Sequence, residues 1–449
     1  MTSESPDRRV ATLLLAHFET SEPHRLVTAS RAFPVTSRVD LQNSLIDWIA
    51  DACVVTHWSG VQNPYHFATL TLGALSLLHE DAPLVAPLAY EDVDIGESAP
   101  IRCIKTALWL GSIGGTPVAL LLTPVFQHGQ AEGWQVEMAT LPGEGKTDPS
   151  QQLLGDLEGR LASASSYRGK VISLEQRDNY SGKVGSVRVH KLHSVARDEV
   201  ILPEATVRLL ERNVIEFIEQ RDRLKDLGMG IKKGLLLHGP PGTGKTHTIH
   251  YLAGCLRDHT TLLITAEQVA LLDAYIQLAR FVQPAMIVLE DVDLIARERT
   301  SMRNPCEESL LNKLLNEMDG LREDAALLFV LTTNRPDELE AALAARPGRI
   351  DQAIEFPLPD EEGRRKLIRL YAGRLRWEEG TMSLLVRKTE GASAAFIKEL
   401  MRRSAQAMLR SGEEVRLELA HVEDALDEML FAGGRLNVKL LGGSGEERP

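Results

Sequence analysis

GPPGTGKT, residues 239–246, follows the apolar run Leu235-Leu236-Leu237 and opens a helix-compatible segment. It fits the phosphate-binding pattern G-x-x-x-x-G-K-[ST] at every fixed position, between a strand and a helix as that pattern requires. Gly239, Gly242 and Gly244 allow backbone N–H groups to close around phosphate oxygens, and the following helix turns its positive end to the same anion. The pattern assigns Lys245 to the β- and γ-phosphates and the Thr246 hydroxyl to Mg²⁺. The nucleotide-binding set read from this stretch is Gly239, Pro240, Pro241, Gly242, Thr243, Gly244, Lys245, Thr246 and His247, with ATP and Mg²⁺ as the ligands.

The chain has 449 residues, more than one ordinary core holds, so several domains are expected. It is 43% hydrophobic and 25% charged, the balance of a soluble globular protein. A formal charge of −13 argues against a chain built to coat nucleic acid. Cys53, Cys103, Cys255 and Cys306 are scattered and form no C-x-x-C pair, so neither a disulfide framework nor a zinc site is signalled, and a cytoplasmic location is expected. Apolar runs such as Val118 to Leu122 are far shorter than the roughly 20 residues of a membrane span. The N-terminus reads as an amphipathic helix rather than a signal peptide.

Residues 1–165 read as an α+β domain, with a first helix carrying Val10, Leu13, Leu14 and Phe18, and a second near Leu41 to Ala52. A hairpin is expected where Thr106 to Leu110 and Pro117 to Leu122 flank the turn-forming SIGGT. Residues 166–200 form a β-rich linker with β-like runs at Lys170 to Leu174 and Ser186 to His190. From Pro203 to Leu227 the spacing of Val207, Leu210, Val214, Ile215 and Ile218 predicts a helix, stopped by Gly228. Over residues 201–358 five apolar segments alternate with helices, at Gly234 to Leu237, Leu262 to Thr265, Met286 to Leu289, Ala326 to Leu331 and Ala353 to Phe356. That alternation predicts an α/β core with a five-stranded parallel sheet. Residues 359–435 read as entirely helical, a C-terminal lid, and 436–449 as a flexible tail.

The third of these strands ends in Glu290 and Asp291, with Asp293 beyond. A strand that delivers acids at its C-terminal end beside a P-loop can hold Mg²⁺ and orient the attacking water; a helix N-cap cluster is the alternative use of Asp291 and Asp293. The fourth strand runs into Asn334, either a γ-phosphate sensor or an Asx-turn before Pro336. Arg346 and Arg349 flank a turn just before the fifth strand, far along the sheet from the chain's own P-loop. They suit arginine fingers given to a neighbouring subunit, or else ordinary surface ion pairs.

Taken together, Pro203 to Leu430 resembles a complete module of the AAA ATPase family. GPPGTGKT is similar to its Walker A, IVLEDVD to its Walker B, and LTTNRPDELEAALAARPGRID to its second region of homology, with sensor-1 at Asn334 and fingers at Arg346 and Arg349. SLLNKLLNEMDGL, residues 309–321, resembles the helix that ends in an intersubunit-signalling turn, and GASAAFIKEL, residues 391–400, the lid helix that approaches the nucleotide. The resemblance implies an ATPase, a homo-oligomeric and hexameric ring, and a protein client or complex that the ring remodels, recognised by the N-terminal domain. A slow nucleotide-controlled switch or scaffold is the second reading.

The chain departs from the family pattern in three places. Walker B usually reads Asp-Glu, whereas here Glu290 precedes Asp291. By position Glu290 is then the magnesium ligand alongside Thr246, and Asp291 the residue that polarises water. The aromatic-hydrophobic-glycine loop of threading members is replaced by Tyr275-Ile276-Gln277 within a helical stretch, so Tyr275 is expected to pack rather than line a pore. Ala394 and Phe396 stand in the lid helix where glycine and aspartate are common. Arg297 to Arg303 reads as a solvated loop, with a ring opening as its other use, and no H-E-x-x-H protease motif occurs.

Overall fold

The computed structural model describes residues 9–64, 68–78, 81–127, 130–142, 149–162, 166–176, 184–294, 316–318, 320, 322, 324–337, 349–377, 380–411 and 416–429. They divide into two compact units, residues 1–190 with 273–282, and residues 191–272 with 283–449.

The first unit is built on a sheet of β1 (Val27–Pro34), β2 (Val54–Gln62), β3 (Leu84–Ala86), β4 (Ala89–Val93), β5 (Ile101–Ile113), β6 (Thr116–Gln127) and β7 (Gln130–Thr140). Their order is β1-β7-β6-β5-β2-β3, with β4 on β5, and the pairings are antiparallel. The expected hairpin is the β5–β6 pair, turned at Gly114 and Gly115, whose φ values of 56° and 82° are the left-handed conformations a tight hairpin turn demands. Alternate residues serve two cores. Ala107, Trp109, Val118, Leu120, Leu122, Val136 and Met138 pack with the helices Arg38–Ala52 and Pro149–Ala162. Leu108, Leu110, Ala119, Leu121 and Ala139 pack with Val10–His17 and Leu72–Leu75. Because both faces are covered, these strands read as continuous apolar runs rather than alternating ones.

A hairpin of β8 (Val171–Gln176) and β9 (Val184–His190) also belongs to this unit, as does nearly all of the helix Leu272–Phe281. Tyr275 on that helix is fully buried, and its hydroxyl accepts the Leu174 N–H at 2.7 Å, while Phe281 packs against the core that holds Trp109. Tyr275 is therefore a packing residue.

The second unit carries β10 (Lys233–His238), β11 (Thr260–Ile264), β12 (Ala285–Leu289), β13 (Leu327–Thr333) and β14 (Gln352–Glu355), in the order β14-β10-β13-β12-β11 and all parallel. The five expected strands are present, but the sheet containing them counts seven, a correction to the expectation of five. Local patterning finds strands without telling which sheet they extend. Leu235, Leu237, Met286, Val288, Leu328 and Val330 pack on one face with Leu210, Val214, Ile249 and Leu252 from helices.

The helix expected over Pro203 to Leu227 is present and contains a π-helical turn: Glu204–Glu211 continues through Arg212–Glu216 into Phe217–Glu219, and Arg221–Asp226 follows Gln220. Gly228 follows at φ 74°, a left-handed stop. Beyond Pro359 the helices Glu361–Ala372, Thr381–Lys388, Ala394–Ser411 and Leu419–Asp427 share a core of Leu367, Ile368, Leu385, Phe396, Leu400 and Val422. That segment is not entirely helical. β15 (Arg376–Trp377) and β16 (Arg416–Leu417) pair over two residues each, too short to leave a pattern in the sequence.

His259, just before β11, is buried with its Nε2 3.1 Å from Arg221 Nη1. Burial, and then the neighbouring guanidinium, push its pKa down from 6.5 to about 4. Between those values the unfolded chain binds the proton that the folded chain refuses, so stability rises with pH across this window and falls on acidification. Urea unfolding of the wild type from pH 4.5 to 7 should show that slope, and His259→Gln should flatten it.

Candidate functional site

β10 ends at His238, and its parallel register with β13 pairs His238 with Thr333. Gly239 therefore starts the loop beside the end of β13, and its N–H donates to the Thr333 carbonyl at 3.3 Å. The loop path is set by glycine. Gly239 and Gly242 have φ values of 149° and 76°, and Gly244 turns the chain into the helix Lys245–Cys255 at φ 103°. A Cβ on Gly239 would lie 2.2 Å from the Phe356 carbonyl oxygen, so no larger residue fits there.

Lys245 is buried, and its ammonium donates back to the Gly239 and Pro240 carbonyls at 2.8 and 3.0 Å. The Thr243 hydroxyl also donates to the Pro240 carbonyl, at 2.9 Å. With the carbonyls drawn to one side by these donors, the loop's character is that of an N–H cradle at a helix N-terminus, whose first amides have no intrahelical acceptor. Burial lowers the Lys245 pKa, and the carboxylates of Asp291 and Asp293 oppose that shift. The glycine-set cradle, the lysine and the adjacent acids fit a magnesium–nucleotide triphosphate. His247 is exposed on the first helical turn, its Nε2 3.2 Å from the Glu199 carbonyl oxygen.

β12 leads into Glu290, and the Thr246 hydroxyl donates to Glu290 Oε1 at 2.7 Å. The two residues assigned to the metal are thus in contact. Asp291 has φ 52°, rare for a non-glycine residue. Its N–H donates to Thr332 Oγ1 at 3.0 Å, and its carboxylate accepts Asn334 Nδ2 at 2.9 Å. Asp291 and Asn334, read from separate stretches, therefore meet directly.

Arg349 lies elsewhere. Its carbonyl packs against Gly234, where a Cβ would come within 2.2 Å, and Asp351 exchanges two hydrogen bonds with the Gly234 main chain at 2.7 and 2.8 Å. Gly234 and the P-loop sit at opposite ends of β10, about 16 Å apart by strand rise. Arg346 falls outside the described residues, as do Arg297 to Arg303, Asp319, Leu321 and the tail.

One feature escaped sequence reading. A pocket beside the loop is lined by Ile201, Leu202, Thr243, Pro357, Leu367 and Ala394, gathered from four separate segments. The helix Ala394–Ser411, in the segment expected to approach the nucleotide, begins at the phosphate loop: the Ala395 N–H donates to the Gly242 carbonyl at 3.1 Å, and Ser393 Oγ caps Phe396 N–H at 3.2 Å. Phe396 itself is buried among the C-terminal helices, which accounts for an apolar residue at that position. The spacing of no single motif signals the pocket.

Gly239→Ala combines a disfavoured φ with a backbone clash, so chemical denaturation should show a loss of about 2–4 kcal/mol, and binding of a fluorescent ATP analogue should be lost.

Residues 235–358 match the family model described as "ATPase family associated with various cellular activities (AAA)". The chain is 31% identical over 242 residues to an ATP-dependent zinc metalloprotease FtsH of Thermus thermophilus, covering 51% of this chain and 38% of that protein. It is 31% identical over 260 residues to a proteasome-activating nucleotidase of Methanothermobacter thermautotrophicus, covering 55% and 63% respectively. The chain thus spans less than two thirds of the length of these relatives. A crystal structure of the FIGL-1 AAA domain in complex with ADP matches 57% of this chain and 93% of its own, at 22% identity and a TM-score of 0.44. Residues 235–358 are thus similar to the ATPase module of the AAA family and of these relatives.

Proposed function

We propose that this chain binds Mg-ATP at the P-loop and hydrolyses it in a cytoplasmic homo-oligomeric ring, a hexamer, that remodels a protein client or complex engaged by residues 1 to about 165. The observation that carries this reading is a division of labour along β10. Thr246–Glu290 and Asn334–Asp291 converge at one end, while Arg349 lies at the other. An arginine so placed serves a neighbour's phosphates better than its own chain's.

Gly239 to Gly244 cradle the phosphates, and Lys245 neutralises their charge. Thr246 and Glu290 hold Mg²⁺, which draws charge from the phosphate oxygens when bound. Asp291, directed by Asn334, orients the attacking water, and Asn334 senses the terminal phosphate. Arg346 and Arg349 complete the pocket of the next subunit. The helices after Pro359 act as the lid, with the Ala395–Gly242 contact linking them to the loop.

A second reading, a slow switch or scaffold that assembles on ATP and regulates a partner without threading it, draws on Tyr275. Its ring and hydroxyl are committed to packing, so that position offers no grip on a peptide.

Asp291→Asn and Arg349→Ala should each lower ATP turnover by roughly 10³-fold or more. Mixing the two inactive variants should restore part of it, because some subunit boundaries then hold an intact Asp291 and an intact Arg349. Turnover per subunit that is constant on dilution through dissociation, and indifferent to Arg349→Ala, would overturn the shared-site reading. Unfolding of a bound client separates remodelling from switching.

A further inference from the structure

We propose that Asp293 is a positioning residue for the ATPase reaction: its buried carboxylate fixes the main chain at Thr333-Asn334 and thereby aims the Asn334 amide at Asp291. The proposal rests on the site reading given above. Asp293 is 3% exposed, and its Oδ1 accepts both the Thr333 hydroxyl at 2.9 Å and the Asn334 N–H at 3.1 Å. Since the Thr333 hydroxyl has given its proton to Asp293, its lone pairs are left to accept the Arg335 N–H, at 3.0 Å. Two successive peptide groups after β13 are thus held through one carboxylate oxygen.

With its main chain fixed, Asn334 has only its side-chain torsions to choose, and these carry Nδ2 to within 2.9 Å of Asp291 Oδ1. Asp291 is restrained from its own side by its left-handed φ and by its N–H bond to Thr332 Oγ1. The ends of β12 and β13 are therefore cross-tied on both sides of the Asp291–Asn334 contact. Among the described residues, the hydrogen bonds of the Asp293 carboxylate cross to the end of β13. The Asp293 charge also reaches Lys245, where it favours the ammonium form.

The test compares Asp293→Ala, which removes the acceptor, with Asp293→Asn, which keeps one acceptor oxygen. Three readouts are used: kcat and KM for Mg-ATP, Kd for a fluorescent ATP analogue, and hydrogen–deuterium exchange of the nucleotide-free protein across residues 330–337. Asp293→Ala should lower kcat by about 10- to 100-fold. It should leave Kd within about 3-fold of the wild type, and exchange should quicken at Asn334 and Arg335 while the rest of the sheet stays protected. Asp293→Asn should recover the protection and most of kcat. Should Asp293→Ala fail to fold, Thr333→Val removes one of the two bonds and should give a smaller loss of kcat at unchanged Kd.

The proposal is overturned if kcat survives Asp293→Ala, if Asp293→Asn regains protection without kcat, or if Thr333→Val leaves kcat untouched. Loss of kcat, nucleotide binding and protection throughout β10 to β14 together would assign Asp293 a merely structural role and overturn it as well. Absent turnover in the unaltered protein would sink the ATPase reading itself, whereas each of the other failures sinks only the role of Asp293.

Discussion

The parallel register of β10 against β13, and of β13 against β12, is the constraint from which the site follows. His238 opposite Thr333 and Leu289 opposite Leu331 bring three strand ends to one level, so the glycine loop, the acidic turn and Asn334 emerge side by side. Slipping one strand by a single residue would turn its buried face outward as well as displace its functional end, so the core and the site are specified together. The apolar side chains of Leu235, Leu237, Val288 and Val330 thus act at a distance on chemistry they never touch.

Electrostatics at this level is a balance between burial and compensation. A lysine ammonium withdrawn from water costs free energy unless charge or hydrogen bonding answers it. Lys245 is answered twice, by the loop carbonyls of Gly239 and Pro240 and by the field of Asp291 and Asp293. The same two acids have different partners. Asp293 is tied to the end of β13, whereas Asp291 donates its N–H to the Thr332 hydroxyl, accepts the Leu294 N–H at its carbonyl and accepts the Asn334 amide at its carboxylate.

What could be read from the chain alone was what neighbouring residues determine. The glycine loop, the acids closing β12, Asn334, the β5–β6 turn and the alternating core of the second unit all lie within a few residues of their own signals. The burial of Tyr275 was legible from the lack of a glycine-bearing loop, but its partner Leu174 was not, because the contact joins residues far apart in sequence. The pocket beside Thr243 was invisible for the same reason. The π-helical turn after Glu211 had no proline or glycine to announce it, and the two-residue ladder of β15 and β16 is shorter than any period.

The chain passes between its two compact units three times, at 190/191, 272/273 and 282/283. Cutting after His190 would strip the helix at 273–282 of the hairpin and the core that bury Tyr275 and Phe281, while leaving it spliced between β11 and β12. The front portion is consequently no detachable cassette. Replacing residues 1–190 by another domain would have to replace the segment 273–282 as well.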